Sequence, residues 1–399
     1  MKTNWQTKKL DDVCELITRG VSPRYTGQHG IPVLNQKCIR DHRINYQLAR
    51  LHDDQNKFVN EIKSIKGGDV LINSTGVGTL GRVAQVIATP LIKTTIDSHV
   101  SIVRSKKDIF CHDFFAWLLI NKEDEIAQKG EGCGGQIELS RETLKNIFVT
   151  YPESLTYQHR IVKILDEVFE KIAKAKKNAE KNLRNAKELF EAYLNSVFAN
   201  PGKDWEYCFL NDHVKFIDYR GKTPKKTTSG VRLITAKNIK MGYLQKEPEE
   251  FIDIKDYAGW MTRGIPKKGD ILFTTEAPLA NVAQLDTDEK VAFAQRTIIF
   301  QSDHNKLDSI FLKYLLLSAP IQKKIIEKGT GATVKGIKAS LLKQIPIYFP
   351  SLNHQHHIVT HLDALSTQTR KLEAIYKQKL TSLEELKKSV LKKAFSGEL

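Results

Sequence analysis

Tyr151-Pro152-Glu-Ser-Leu-Thr-Tyr-Gln158-His-Arg-Ile161-Val162 and Phe349-Pro350-Ser-Leu-Asn-His-Gln355-His-His-Ile358-Val359 carry one pattern twice: an aromatic residue, a proline, then glutamine three residues ahead of Ile-Val. The hydrophobic period changes at each proline, so these two stretches separate what is globular from what is one long helix. Downstream of the first, Ile161, Leu165, Val168, Ile172, Ala175, Ala179, Leu183, Ala186, Phe190, Tyr193 and Val197 recur by threes and fours with no proline or glycine between them. Such spacing predicts an amphipathic helix. The matching C-terminal series is Ile358, Leu362, Leu365, Leu372, Tyr376, Leu383, Leu386, Val390 and Ala394. A helix of about 36 residues extends roughly 55 Å and cannot bury its own stripe.

Upstream, the two copies keep register. Trp5 and Leu10 answer to Trp205 and Leu210; Arg19-Gly20 with Pro23 answers to Arg220-Gly221 with Pro224; and Ile31 to Ile39 answers to Val231 to Ile239, which pairs Lys37 with Lys237. Gly68-Asp69-Val70-Leu71-Ile72 matches Gly269-Asp270-Ile271-Leu272-Phe273, and Lys129-Gly130 matches Lys328-Gly329. Leu144-Lys145 with Ile147 matches Leu342-Lys343 with Ile345. The chain is a duplication. Within each copy, β-rich runs such as Val70–Ile72, Val83–Ile87 and His99–Val103 alternate with Gly, Asn, Ser and Thr, and Phe114–Leu119 and Phe311–Leu316 each predict one buried helix.

The predicted fold is therefore mixed α/β: two tandem globular domains, 1–152 and 203–350, each followed by a long helix, 153–202 and 351–399. The expected seam comprises Ile161, Leu165, Val168, Ile172, Leu183, Phe190 and Val197 on one helix and Ile358, Leu362, Leu365, Leu372, Leu383, Leu386 and Val390 on the other. An antiparallel intramolecular coiled coil is preferred, because a parallel pair would crowd both domains at one end.

Composition sets the partner class. There are 399 residues, 41% of them hydrophobic, with 62 Lys+Arg against 46 Asp+Glu and a formal charge of +16, which favours a polyanion and salt-dependent binding. The start, Met1-Lys2-Thr3-Asn4-Trp5, is not an apolar signal segment, and no run reaches the ~18–20 apolar residues of a membrane span; the expectation is a soluble, cytoplasmic protein. Cys14, Cys38, Cys111, Cys133 and Cys208 contain no Cys-x-x-Cys pair, arguing against a zinc ribbon or a disulfide framework. Gly76-Val-Gly78-Thr-Leu-Gly81 has dinucleotide-fingerprint spacing, but a strand-like run follows where a helix is needed, so a hairpin or loop is expected. His354, His356, His357 and His361 form the densest metal-like cluster, yet the first copy has Tyr157, His159, Arg160 and Lys163 around those places. Solvated histidines at a helix start are expected, with no metal. Phosphate-loop, nucleophile-elbow and His-Glu-x-x-His motifs are missing, as is the Asn/Asp-Pro-Pro-aromatic tetrapeptide of amino-methyltransferases. No catalytic residue is assigned.

Candidate DNA-binding residues are Arg19, Arg24, Asn35, Gln36, Lys37, Asn73, Ser74, Thr75 and Arg82 in the first copy. In the second they are Arg220, Lys222, Lys225, Lys226, Lys237, Asn238, Thr274, Thr275, Glu276 and Arg296. Arg and Lys anchor phosphates or read guanine, and Asn and Gln read adenine. Lys171, Lys174, Lys176, Lys177 and Lys181 on the central helix either follow a duplex or form an ordinary solvated coiled-coil face; both readings stand.

Two variable α/β units, each followed by proline, glutamine, Ile-Val and a long helix, together with the ending Leu386-Lys-Lys-Ser-Val-Leu391-Lys-Lys-Ala394-Phe395-Ser-Gly397-Glu-Leu399, resemble the specificity (S, HsdS) subunit of type I restriction-modification systems. The resemblance implies a non-catalytic DNA reader whose two target-recognition domains each bind half of an asymmetric bipartite target, with the helices as spacer. It also implies two docked DNA methyltransferase (modification) subunits, with two ATP-driven translocase/nuclease (restriction) subunits as optional partners. S-adenosylmethionine, ATP and Mg then belong to those partners, and this chain needs no cofactor. The competing readings are a self-contained methyltransferase or nuclease, and a coiled-coil adaptor without sequence specificity.

Overall fold

The computed structural model describes residues 4–132, 137–221, 223–331 and 334–398. Two compact units form: Met1–Ala179 with Gln378–Leu399, and Glu180–Lys377. Each takes one globular copy and a share of both long helices.

In the first unit a four-stranded antiparallel sheet runs in the order Cys14–Arg19, Val100–Ser105, Val70–Asn73, Val83–Gln85. Side chains alternate across a strand, and here both faces are covered. Val70, Ile72, Val83 and Val103 join a core with Phe114, Phe115, Leu118 and Leu119 of the helix His112–Ile120. Leu71, Ala84, Val100 and Ile102 point the other way, into a core with Leu34, Ile39 and Ile96. That double burial is why Val70–Ile72 reads as an unbroken apolar run rather than an alternating one. A second sheet, Thr95–Ile96, Ile31–Leu34, Arg50–His52, Tyr25–Thr26, lies on the latter side.

The second unit repeats the plan. Its sheet is Val214–Asp218, Thr297–Ser302, Ile271–Thr275, Leu279–Gln284. Ile271, Phe273, Val282 and Phe300 pack against the helix Ser309–Leu317, while Leu272, Ala283 and Ile299 face a core with Leu233, Ile252 and Phe293. Each copy is closed by pairing its first strand with its last, Trp5–Lys9 with Phe148–Pro152 and Glu206–Phe209 with Pro346–Phe349.

Two local expectations need correction. The strand expected over Val83–Ile87 ends at Gln85, and Ile87 is exposed. The one expected to begin at His99 begins at Val100, because the His99 N–H is taken by the Asp97 carboxylate at 2.9 Å. The buried helix expected in each copy is present, as His112–Ile120 and Ser309–Leu317, and is followed by a further helix, Glu123–Gln128 and Ala319–Lys328.

The long helices are Leu155–Ala199 and Leu352–Phe395. Asn200-Pro201-Gly202 stops the first, and Gly397, at φ 79°, follows the second. In the first unit, Ile161, Val162 and Leu165 share a core with Leu391, Ala394 and Phe395, with Phe169 and Val390 packed against it. Further along the first helix, Lys176 meets Glu384 at 2.6 Å. In the second unit, Leu194 and Phe198 share a core with Val359 and Leu362.

The seam differs from the expected one. Leu372 and Leu386 are 38% and 48% exposed. From Thr369 the shielded positions include Glu373, Tyr376, Leu380, Leu383, Lys387, Val390 and Ala394, steps of four and three that leave both leucines one residue out of phase. The stems of Glu373 and Lys387 are covered instead; the Lys387 ammonium lies 5.6 Å from the Phe169 ring centre. On the first helix Tyr193 is exposed while Leu194 and Phe198, absent from the expected seam, are buried.

Candidate nucleic-acid interface

The same backbone frame occurs in both units at one edge of the main sheet. The Ser74 N–H donates to the His99 carbonyl at 2.8 Å and the Leu139 N–H to the Ser74 carbonyl at 2.8 Å; Thr275 N–H to Arg296 carbonyl at 2.9 Å and Ile337 N–H to Thr275 carbonyl at 3.0 Å are the counterparts. Arg19 donates to the Leu139 carbonyl and pairs with Glu138, as Arg220 donates to the Ile337 carbonyl at 3.3 Å while held by Asp218 at 2.6 Å. Isolated bridges Thr75–Glu138 and Glu276–Gly336 complete the match. Arg19 therefore corresponds to Arg220, Ser74 to Thr275, Thr75 to Glu276, His99 to Arg296 and Glu138 to Gly336. Burial pushes the Asp218 carboxyl up, but hydrogen bonds from Arg220 overcome it and hold the group below its ordinary range.

Several residues proposed as base readers are scaffold. Asn73, Ser74, Asn238, Thr274 and Thr275 are buried. Asn73 donates its amide to the Gln36 carbonyl at 3.1 Å, and the Ser74 hydroxyl bonds Ser101 at 2.6 Å. Asn238 caps a turn by accepting from the Thr235 N–H at 3.0 Å, and its amide reaches the Pro248 carbonyl at 3.0 Å. The Thr274 hydroxyl accepts from the Asn281 N–H at 2.9 Å. Small polar residues in loops suit base edges and buried backbone equally well, and here the backbone takes them. Asn35 likewise accepts from the Lys37 N–H at 2.9 Å, fixing the turn that presents exposed Lys37.

What remains at the surface falls into two groups. Arg24, Lys37, Lys225, Lys226 and Lys237 are exposed cations, Lys226 paired with Glu250 at 2.8 Å and Arg24 with Asp53 at 3.6 Å. At the repeated frame, Gln36, Thr75 and Arg82 stand in the first unit, where the Thr75 hydroxyl bonds Gln36 Oε1 at 3.2 Å and His99 Nδ1 at 2.8 Å. Arg82 donates to the Gly78 carbonyl at 2.9 Å inside the glycine hairpin, whose Gly76, Gly78 and Gly81 have φ of 101°, 75° and 86°. In the second unit Arg220, Thr275, Glu276 and Arg296 line a cleft of about 310 Å³ with Gln295, Gly336 and Lys338. The sequence reading missed Gln295, which precedes Arg296 in the chain, and His99 and Glu138, which become neighbours of the frame only through backbone pairing. Lys222 and Cys133 lie outside the described residues.

The remaining motifs are quiet. His354, His356, His357 and His361 are exposed on the first turns of their helix, the last two with Nε2 atoms 3.2 Å apart. Lys171, Lys174, Lys176, Lys177 and Lys181 are exposed. Burial raises the thiol pKa of Cys14, Cys38, Cys111 and Cys208, the last to about 11, so they stay protonated. Among the described residues no helix is long and apolar enough to cross a membrane.

A duplicated α/β domain with a long helix after each copy defines a class, and comparison gives its family. The model of the type I restriction modification DNA specificity domain matches residues 2–181 and again 202–383, and the chain belongs to that family, carrying the domain twice. It is 23% identical to the type I restriction enzyme MjaVIII specificity subunit of Methanocaldococcus jannaschii, over 99% of this chain and 93% of that one. With the EcoBI specificity subunit of Escherichia coli it shares 25% identity over 49% of this chain and 42% of the other. The fold matches that of the HsdS subunit from Thermoanaerobacter tengcongensis, at TM-score 0.64 and 17% identity over 99% and 97% of the two chains. It also matches a chain from work on complex assembly and conformational transition of the type I R-M system, at TM-score 0.79 and 17% identity over 100% of both.

Proposed function

We propose that this chain is the DNA-specificity subunit of a type I restriction-modification complex, each globular domain reading one half of an asymmetric bipartite target. The observation that carries this is the repeated frame with exchanged tips: Arg19 and Arg220 occupy the same place, whereas Thr75 is answered by Glu276 and His99 by Arg296. One scaffold with two sets of surface groups suits two different half-sites. Exposed Arg24, Lys37, Lys225, Lys226 and Lys237 supply phosphate contacts, and Gln36, Thr75, Glu276 and Arg296 face base edges. Arg19, Asn35, Asn73, Ser74, Arg220, Asn238, Thr274 and Thr275 hold the frame.

The helices act as spacer and docking element. An antiparallel coiled coil is supported by pairing order: the start of the first helix meets the end of the second in one unit, and the end of the first meets the start of the second in the other. Two modification subunits dock on this element and methylate DNA with S-adenosylmethionine; ATP and Mg serve restriction subunits where these join. This chain contributes no catalytic group. An apolar groove on the first unit, lined by Ile87, Leu91, Trp117 and Phe169 beside Lys387, supports a protein partner there.

Co-expression with modification subunits followed by methylome sequencing tests the reading. A bipartite methylated motif is expected, and replacing Gln36, Thr75 and His99 together should alter only one half of it. Simultaneous change of both halves, or methylation by the purified chain alone, would defeat the proposal.

A further inference from the structure

We infer that the second domain reads a guanine through Arg296, with Glu276 as the residue that positions its guanidinium. The inference rests on the DNA-specificity reading above and adds the base and the atoms.

Arg296 has φ 76°, a left-handed conformation that a long side chain adopts at a cost and that persists only where surroundings over-determine it. They do so here. The Thr297 hydroxyl closes the turn onto the Ala294 carbonyl at 2.6 Å, and the Arg296 carbonyl is tied to the Thr275 N–H at 2.9 Å. The backbone thus aims the side chain into the cleft. There Glu276 Oε1 lies 2.9 Å from Arg296 Nε, with the two side chains 40% and 47% exposed. An ion pair so open to water adds little stability, so stability does not account for a strained arginine at this place.

Recognition does account for it. The ion pair brings Glu276 closest to Nε, and neither terminal nitrogen of the guanidinium makes a hydrogen bond to a described residue. Those nitrogens form a fork that matches guanine O6 and N7, the commonest specific contact in the major groove. Gly336 makes room: a Cβ there would come within 3.3 Å of Glu276 Cβ and 3.4 Å of its Oε2. In the first domain the same places hold Glu138, engaged by Arg19, and Thr75 bonded to His99. His99 stands where Arg296 stands in the second frame, so this particular arginine contact has no counterpart in the first domain.

The test uses the complex with its modification subunits. Arg296→Gly relieves the backbone and removes the fork, so loss of reading will not reflect unfolding; an unchanged melting curve checks this. Arg296→Lys keeps the charge and loses the bidentate geometry. Both variants should relax one G·C position of the methylated motif, lowering discrimination there about 5- to 150-fold, and Glu276→Gln should relax the same position less. A 7-deazaguanine at that position, which lacks the N7 acceptor, should weaken binding by the unsubstituted subunit and not by Arg296→Gly. A motif unchanged in both variants, relaxation at a pair other than G·C, or wild-type behaviour of Arg296→Lys with uniformly weaker Arg296→Gly, the pattern of a phosphate contact, would overturn the inference and leave the bipartite reading intact. A wild-type complex that methylates no bipartite motif overturns both.

Discussion

Gln158 and Gln355 are fully buried, and each sews a globular copy to its long helix. Gln158 accepts from the Cys111 N–H at 3.0 Å and donates to the Ile109 and Pro152 carbonyls at 2.9 Å each. Gln355 accepts from the Asp308 N–H at 2.9 Å and donates to the Lys306 and Pro350 carbonyls at 2.8 Å each. The recurring glutamine is therefore a joint, satisfying three backbone groups that would otherwise be buried unpaired. Gln355→Ala should cost about 3 kcal/mol or more, since it orphans three groups at about 1–3 kcal/mol each. Urea unfolding of Gln355→Ala and Gln158→Ala measures it; midpoints equal to wild type would show that water replaces the side chain. The motif was legible in the sequence, but its role was not, because the loops it serves are contributed by residues about fifty positions upstream. The same limit explains Asn73 and Asn238, whose residue type fits base reading and whose buried amides are spent on backbone carbonyls.

At the scale of elements, the helix pair separates packing from charge. Leu165 is fully buried in the core that also takes Leu391 and Phe395, whereas the Lys176–Glu384 pair is about half exposed at both ends. Its hydrogen bond to Lys176 holds the Glu384 carboxyl below the ordinary range, yet solvent screening leaves such pairs worth about 0–1 kcal/mol. Leu165→Ala should cost about 2–5 kcal/mol and Glu384→Gln under about 1. Thermal or urea unfolding of the two single variants compares them directly, and a larger loss from Glu384→Gln would contradict this ranking. Helix existence and extent were written in the three-four period and in the absence of proline and glycine. The covered face was misjudged at Leu372 and Leu386, because apolar type alone does not fix phase when Glu373 and Lys387 can bury their stems.

For the whole molecule, the charge of +16 predicts DNA affinity that falls steeply with salt, and the proposed coiled coil predicts a ruler. Deleting one heptad from the first helix and the facing heptad from the second removes about 10 Å of helix at ~1.5 Å per residue. The gap between the two methylated half-motifs should then shorten by about three base pairs at ~3.4 Å each, with both half-motifs unchanged. Methylome sequencing of the shortened subunit reads this out, and an unaltered gap would remove the helices from the spacing role.

Duplication, the α/β plan of each copy, the two long helices and the attraction to a polyanion were all contained in the sequence, because repeats, hydrophobic period and net charge are properties of the linear chain. Which polar residues face solvent was decided only in three dimensions. The frame joining Ser74, His99 and Leu139, and its counterpart joining Thr275, Arg296 and Ile337, assembles from segments far apart in sequence. Hydrogen bonding between those segments determines which side chain is spent on the backbone and which is left at the surface.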